Sequence, residues 1–235
     1  MNAGTLIIAD DHPLFRAALR EVIGQLLPGV EIIEAQDAQE LRSATETHPL
    51  ADLLLMDLHM PGAQGFSTLI MVRAQHPAIP VAVISAAEDA TVVQRSLDFG
   101  ASAFIPKSAA METIGVALRT VLDGGVWVPE HFGESAAASD QADREMAARV
   151  ATLTPQQFRV LTLLADGRLN KQIAGELDVS EATIKAHVTA ILRKLGLYRR
   201  TQVAVLAQRL LQADNAPLLP LPGADTMPAD ESDAG

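Results

Sequence analysis

The sequence Leu53-Leu54-Leu55-Met56-Asp57 is a short apolar run that ends in a carboxylate. The same pattern recurs along the first half of the chain, where other polar residues follow short apolar runs. These residues are Asp10, Asp11, Ser85 and Lys107. Such runs are typical of strands that are buried on both faces, and segments of helical periodicity separate them. The alternation predicts a parallel sheet covered by helices.

The predicted elements fill residues 1–128, which we interpret as the first domain. Strands are predicted near residues 4–9, 30–35, 52–57, 80–85 and 102–106, and helices at 13–26, 38–47, 64–75, 89–98 and 109–122. The predicted fold class is therefore α/β, with five parallel strands and helices on both faces of the sheet. In such a sheet, chemistry gathers at the carboxyl ends of the strands, so the polar residues should converge there.

Three carboxylates, one hydroxyl and one ammonium would meet at this edge of the sheet. Asp10, Asp11 and Asp57 would repel one another without a hard cation, and Mg²⁺ prefers carboxylate, phosphate and water oxygens. Lys107 can pair with a phosphoryl group as a point charge, and the Ser85 hydroxyl can donate to one of its oxygens. Because a carboxylate can act as a nucleophile, the pattern predicts an aspartyl-phosphate site with Mg²⁺ as its cofactor.

Charge is unevenly distributed along the chain, whose net charge is −11. Residues 1–128 hold seven basic and fifteen acidic residues, which gives a net charge of −8. Residues 152–211 hold nine basic and four acidic residues, which gives a net charge of +5. A basic segment in an otherwise acidic protein is typical of a small DNA-contacting module. The chain has no cysteine and no apolar run approaching about 18 residues, so we expect a soluble, cytoplasmic protein without disulfides or membrane contact.

Residues 152–211 are predicted to fold as helices only. The predicted helix caps are Thr154, Asn170 and Ser180 at the starts, and Gly167 and Gly196 at the ends. Two short helices joined by a turn at residues 178–180 predict a helix-turn-helix, whose second helix enters the major groove of DNA. We interpret residues 129–151 as a linker and the acidic residues 212–235 as a disordered tail.

Both halves carry motifs of known families. The first half has Asp10-Asp11, Met56-Asp57-Leu58-His59-Met60-Pro61-Gly62, Ser85-Ala86 and Phe104-Ile105-Pro106-Lys107, and the second has Leu153-Thr154-Pro155, Asn170-Lys171-Gln172-Ile173-Ala174 and Val179-Ser180-Glu181-Ala182-Thr183-Ile184-Lys185-Ala186-His187-Val188. The first set resembles the flavodoxin-like receiver domain of response regulators, and the second resembles the LuxR-type helix-turn-helix. In this order the two resemble the NarL/FixJ class of two-component transcription regulators.

The resemblance implies roles for individual residues. Asp57 would be the phosphoacceptor, and Lys107 would contact the phosphoryl group. The implied Mg²⁺ ligands are Asp10, Asp11, Asp57 and the backbone carbonyl of His59, and the implied switch pair is Ser85 with Phe104. The imidazoles of His12 and His59 are not expected to bind the metal, because Mg²⁺ prefers oxygen. The implied partners are a sensor histidine kinase and a double-stranded DNA operator, and the phosphorylated protein would form a homodimer.

The expected DNA contacts come from the helical domain. These residues are Asn170, Lys171, Thr183, Lys185, Ala186, Thr189, Arg193 and Lys194. Lys185 should face the groove, since Ile184 and Val188 bury the opposite side of its helix, whereas Lys171 should reach only the phosphate backbone. Gln157 stands where the resembled family usually has Glu, which should weaken an internal contact without abolishing DNA binding.

Two other functions stay open from the residues alone. A phosphatase of the haloacid-dehalogenase kind also uses an aspartyl nucleophile with Mg²⁺, but it requires a second Asp two residues later, where this chain has His59. A signalling module that binds only protein is disfavoured by the basic charge of the helical domain and by Lys185. The prediction is therefore a phosphorylation-switched, DNA-binding transcription regulator and not an enzyme.

Overall fold

The computed structural model describes residues 4–63, 65–133, 141–211 and residue 221. In the first domain, strands and helices alternate without exception. The strands are β1 (Thr5–Ala9), β2 (Glu31–Ala35), β3 (Leu53–Asp57), β4 (Val81–Ser85) and β5 (Ala103–Pro106), and the helices are α1 (Pro13–Leu26), α2 (Ala38–Thr47), α3 (Ser67–Gln75), α4 (Ala90–Asp98) and α5 (Met111–Leu122). Each predicted strand is confirmed to within one residue at either end.

The five strands form one parallel sheet in the order β2-β1-β3-β4-β5. Since β1 has β2 on one side and β3 on the other, successive connections run in opposite directions and place helices on both faces. In the pairing register, Asp57 lies level with Ile84, and Ser85 lies level with Pro106. The strands that carry the candidate site residues therefore end at one edge, as the α/β prediction requires.

Successive side chains along the strands point alternately into two separate apolar layers. Leu53 and Leu55 point to the layer that α1 and α5 cover, and Leu54 and Met56 point to the opposite layer. All four side chains are at most 1% exposed. The run is continuously apolar because both of its faces are buried, which is the signature of a central parallel strand.

The second part of the chain is helical throughout its described residues outside short turns. Its helices are α6 (Glu130–Gly133), α7 (Gln141–Ala151), α8 (Pro155–Ala165), α9 (Asn170–Leu177), α10 (Glu181–Leu195) and α11 (Arg200–Leu211). The segment interpreted as a linker thus holds two helices, and Met146, Ala147 and Val150 of α7 are buried. Helix α7 packs against α3 and α4 of the first domain and against α10.

Two of the three predicted helix starts are confirmed. Thr154 forms a capping box with Gln157, and the Ser180 hydroxyl accepts a hydrogen bond from the Thr183 N–H at 3.0 Å. The prediction for Asn170 is wrong, because the Gln172 side chain accepts a hydrogen bond from the Leu169 N–H at 2.8 Å. That bond makes Leu169 the cap and Asn170 the first helical residue.

Helix α3 begins three residues later than predicted. The loop before it contains Gly62 at φ +74° and Gly65 at φ +52°, conformations in which glycine suffers no Cβ clash. At the start of α3, the Phe66 N–H donates to the carbonyl of Leu210 in α11, at 3.3 Å. The entry into α3 is therefore tied to the helical domain.

The two domains share one apolar cluster. It runs from the α2–α4 face of the sheet into the buried side chains of α7, α8, α10 and α11, and it includes Leu221, which is 3% exposed. The other residues of the segment 212–235, for which disorder was predicted, lie outside the described residues. No helix in the described part of the chain combines the length and apolar character needed to cross a membrane.

Candidate functional site

Buried carboxylates and one ammonium meet at the carboxyl edge of the sheet. Asp10 is 2% exposed and Asp57 is 3% exposed. The Lys107 Nζ lies 2.7 Å from Asp10 Oδ2 and 2.7 Å from Asp57 Oδ2. Asp11 joins the same group, because its carboxylate, those of Asp10 and Asp57, and the His12 imidazole have ligand atoms within 4.8 Å of one another. The structure thus brings the predicted acids and Lys107 together.

Backbone groups fix the orientation of the two buried acids. The His12 N–H donates to Asp10 Oδ1 at 2.8 Å, and the His59 N–H donates to Asp57 Oδ1 at 3.0 Å. Each carboxylate therefore has one oxygen held by the loop that follows its strand and the other turned toward Lys107. The two carboxylates are therefore held in fixed orientations.

Lys107 stays protonated in this setting. Burial lowers the pKa of its ammonium, but the close contacts with Asp10 and Asp57 and the negative charges of these acids outweigh burial, so the pKa is raised above its ordinary value. The ring of Phe15 lies 5.2 Å from the ammonium and adds a cation–π contact. The ammonium can therefore act as a permanent positive charge at neutral pH.

The acid cluster fits a hard divalent cation. Among the described residues, Asp10 Oδ2 and Asp11 Oδ1 are buried and accept no hydrogen bond of good geometry, although Lys107 and His12 lie close to them. Three carboxylates with two such oxygens suit Mg²⁺, which takes oxygen ligands. His12, whose imidazole is not expected to bind the metal, nevertheless lies at the cluster, with its Nδ1 2.7 Å from Asp11 Oδ1. Its position directly after the two acids was the available signal.

The predicted switch pair is fully buried. Ser85 and Phe104 are both 0% exposed. The Ser85 hydroxyl accepts a hydrogen bond from the Ala87 N–H at 3.2 Å, and its carbonyl accepts one from the Lys107 N–H at 2.8 Å. Phe104 belongs to the apolar cluster that continues into the helical domain. Ser85 is thus placed beside the acid cluster, and Phe104 on the face that the helical domain covers.

Helix α10 presents the predicted DNA-contacting side chains to solvent. Ile184 and Ile191 are buried on its inner side. The exposed residues are Thr183, Lys185, Ala186, Thr189 and Arg193, and Lys171 is exposed on α9. Their shared outward direction follows from the helical spacing of the buried residues.

Two of the predicted DNA contacts are engaged inside the domain instead. The Lys194 Nζ donates to the Thr152 carbonyl at 2.7 Å and to Gln157 Oε1 at 2.8 Å. Gln157 thus retains a contact with this lysine even though it is an amide. The Asn170 side chain accepts a hydrogen bond from the guanidinium of Arg200. The structure therefore turns the Lys194 and Asn170 polar groups toward neighbouring segments, and DNA contact by either residue stays a prediction.

Comparisons with known proteins agree with both halves of this architecture. The family of response regulator receiver domains matches residues 6–119, and the luxR family of bacterial regulatory proteins matches residues 151–207. The glycerol metabolism activator of Pseudomonas putida is 40% identical over 207 residues, which cover 86% of this chain and 94% of that protein. The nitrate/nitrite response regulator protein NarL of Escherichia coli K12 is 33% identical over 204 residues, covering 86% and 93%.

A solved structure has a similar fold over most of the chain. RcsB from Salmonella enterica serovar Typhimurium, bound to a promoter in the presence of the phosphomimetic BeF3⁻, is 26% identical with a TM-score of 0.50, covering 84% of this chain and 95% of that one. The fold and the site define a receiver joined to a LuxR-type helix-turn-helix domain. The chain belongs to the two-component response regulators of this type, which are DNA-binding transcription regulators.

Proposed function

We propose that Asp57 accepts a phosphoryl group from a sensor histidine kinase and that its phosphorylation switches operator binding by the helical domain. The observation that carries this proposal is the Lys107 ammonium, which lies 2.7 Å from a buried oxygen of Asp57 and equally close to Asp10. A cation shared by two acids is placed to neutralise the charge of an incoming phosphoryl group. Leu14, 88% exposed at the start of α1, supports kinase docking on that helix.

In the transfer step, the Asp57 carboxylate attacks phosphorus. The P–O bond to Asp57 forms as the P–N bond to the kinase histidine breaks, and the nitrogen keeps the electron pair. Asp10, Asp11, Asp57 and the His59 carbonyl would hold Mg²⁺, which supplies positive charge to the phosphoryl oxygens when bound. The residue two positions after Asp57 is His59, which donates its backbone N–H to that carboxylate but supplies no second acid of the kind that a phosphatase would need.

Phosphorylation would act on the interface between the domains. The phosphoryl group adds about −1.5 to −2 charges, and the Ser85 hydroxyl can turn from its bond with the Ala87 N–H to donate to a phosphoryl oxygen. Phe104 lies two residues before Pro106, the ladder partner of Ser85, and belongs to the cluster shared with the helical domain. A solvent-open cleft of about 280 Å³ lies between α2 and α3 of the receiver and α8 and α9 of the helical domain, so solvent separates the two domains across this cleft.

The released helical domain would bind double-stranded DNA through α10. Its exposed side chains Thr183, Lys185 and Thr189 are suited to the major groove, and the domain has a net charge of +5 in an otherwise acidic chain. The RcsB structure bound to a promoter supports the same role here. A cytoplasmic location follows from a DNA operator as partner.

The phosphorylated protein would form a homodimer, and α5 offers a suitable face. Val116 is 51% exposed and Met111 is 38% exposed, beside a groove of about 450 Å³ between α1 and α5. Antiparallel pairing of two α5 helices about Val116 would place Glu112 beside Arg119 of the partner subunit. Sedimentation of the phosphorylated protein should show monomers for Glu112→Arg and for Arg119→Glu and dimers for the double variant. Dimers in both single variants would reject this face.

Labelling with a radioactive acyl phosphate in the presence of Mg²⁺ tests the phosphoacceptor directly. The unaltered chain should incorporate one hydroxylamine-labile phosphoryl group, and Asp57→Asn should incorporate none. Asp52→Asn is the matched control, because Asp52 precedes the same strand at its opposite end and should leave labelling unchanged. Incorporation that persists in Asp57→Asn would reject the assignment.

A further inference from the structure

Helix α7 is bonded to the end of the DNA-reading helix. The Arg149 Nη1 donates to the carbonyl of Leu195, the last residue of α10, at 3.1 Å. Just beyond α7, the Thr152 carbonyl accepts a hydrogen bond from the ammonium of Lys194 at 2.7 Å. Two charge-assisted hydrogen bonds thus join the C-terminal end of α7 to the C-terminal end of α10.

The chemistry at this joint suits a positioning role for Arg149. The last carbonyls of a helix lack intrahelical partners and carry the negative end of its dipole, so a guanidinium there is favourable. Gly196 adopts φ +68° and leaves room for it, because a Cβ at this position would overlap the Arg149 Nη1. Glycine at position 196 therefore leaves free the space that the Arg149 guanidinium occupies.

The receiver side of the same end of α7 is packed less completely. A groove of about 240 Å³, open to solvent on one side, lies between Ala151, Ile70 of α3 and Phe99, which directly follows α4. Further back, Met146, Ala147 and Val150 bury apolar surface. The end of α7 is thus bonded to α10 and faces an open groove on the side of the receiver.

We propose that Arg149 is a positioning residue which makes α7 part of the DNA-binding unit, so that α7 leaves α3 and α4 together with α10 when the domains separate. The inference rests on the proposed phosphorylation-driven release. It goes beyond the family match to the helical domain, which begins at residue 151 and leaves out nearly all of α7. The moving unit would then begin near residue 141.

Spin-label distances in the full chain test this proposal, and the absence of cysteine makes labelling clean. The exposed residues Leu50, Ala148 and Glu181 are changed to cysteine in pairs, and each labelled protein is diluted with unlabelled chain to suppress distances between subunits. With beryllofluoride and Mg²⁺, the Leu50–Glu181 and Leu50–Ala148 distances should change, while Ala148–Glu181 stays the same.

Each outcome has one meaning. If Leu50–Glu181 changes while Leu50–Ala148 stays the same, α7 remains with the receiver and the inference is overturned although domain release stands. If all three distances change, Arg149 does not fix α7 to α10. If Leu50–Glu181 stays the same, domain release itself is wrong and the inference falls with it.

The variant Arg149→Gln tests the residue itself. The Ala148–Glu181 distance distribution should broaden and operator affinity should fall about two- to five-fold, while Asp57 is phosphorylated at the unaltered rate. Arg149→Lys should restore most of the affinity. Arg159→Gln is the control, because it removes the same charge from an exposed side chain that bonds to no described residue. Identical behaviour of Arg149→Gln and Arg159→Gln would overturn the role.

Discussion

At the residue scale, Lys107 holds together a group of charges that would otherwise repel. Asp10 and Asp57 are almost fully buried, and each turns one oxygen toward the ammonium at 2.7 Å. Removing one partner from such a group leaves the others buried without compensation, which costs more than the loss of an exposed ion pair. The positive charge therefore serves stability as well as the proposed phosphoryl transfer.

We expect Lys107→Met to lower the free energy of unfolding by about 1–3 kcal/mol in EDTA and by clearly less in millimolar Mg²⁺. The reason is that a bound cation would neutralise the same carboxylates. Urea denaturation with and without Mg²⁺ measures the difference. Arg20→Met is the control, since Arg20 pairs with Glu34 at 3.1 Å but is 55% exposed and should cost about 1 kcal/mol or less. An equal loss of unfolding free energy for Lys107→Met with and without Mg²⁺ would contradict this account.

At the scale of single elements, Gly196 ends α10 in a conformation that only glycine adopts easily. We expect Gly196→Ala to lower the free energy of unfolding by about 1–2 kcal/mol, from the positive φ and the displaced Arg149. Gly175→Ala is the matched control: it lies within α9 with no atom within 4 Å of an added Cβ, so it should raise stability by about 0.5–1 kcal/mol. Urea titrations followed by circular dichroism measure both, and changes of the same sign would contradict the prediction.

Helices α9 and α10 should contribute differently to DNA binding. Lys185→Ala should cost about 1–3 kcal/mol at the specific operator and relax preference at one base position, because this exposed lysine of α10 is predicted to face the groove. Lys171→Ala should weaken binding to all sequences alike and reduce the salt slope by about one unit. Footprinting titrations at several salt concentrations distinguish the two. Equal losses on operator and random DNA for Lys185→Ala would reject base reading.

The elements that sequence predicted well are those governed by local patterns. The β3 run is buried on both faces, so its apolar residues mark its limits, and Ser180 caps α10 through its own hydroxyl. The start of α9 was not predicted correctly. The side chain of Gln172, the third residue of the helix, accepts a hydrogen bond from the Leu169 N–H, and this bond makes Leu169 the cap. The contact of Phe66 with Leu210 was also out of reach, since it depends on how two domains meet.

The candidate site was predictable to a similar degree. Parallel strands bring their ends together, so the position of Asp10, Asp57 and Lys107 after apolar runs was enough to gather them. The internal bonds of Lys194 and Asn170 were not predictable from helical spacing, because their partners lie on other segments at a sequence separation of 30 residues or more. Exposure on a helical wheel does not show which polar groups a neighbouring loop already uses.

At the scale of the whole molecule, an acidic receiver covers part of a basic DNA-binding domain. The receiver has a net charge of −8 and the helical domain has a net charge of +5. Attraction between these opposite charges supports the apolar contact between the domains. The interface joins the start of α3, which follows the Asp57 loop, to the end of α11. A change at the acid cluster can therefore reach the hydrogen bond between Phe66 and Leu210 through the short loop that follows Asp57.

The central claim is that phosphorylation of Asp57 controls DNA binding. The direct measurement is the affinity of the full chain for a duplex selected from random sequences by the phosphorylated protein, with and without beryllofluoride and Mg²⁺, for the unaltered chain and for Asp57→Asn. We predict that affinity of the unaltered chain rises by about 5- to 150-fold, a typical allosteric coupling, and that Asp57→Asn does not respond. Equal affinity of the unaltered chain under both conditions, or an equal rise in Asp57→Asn, would contradict the account.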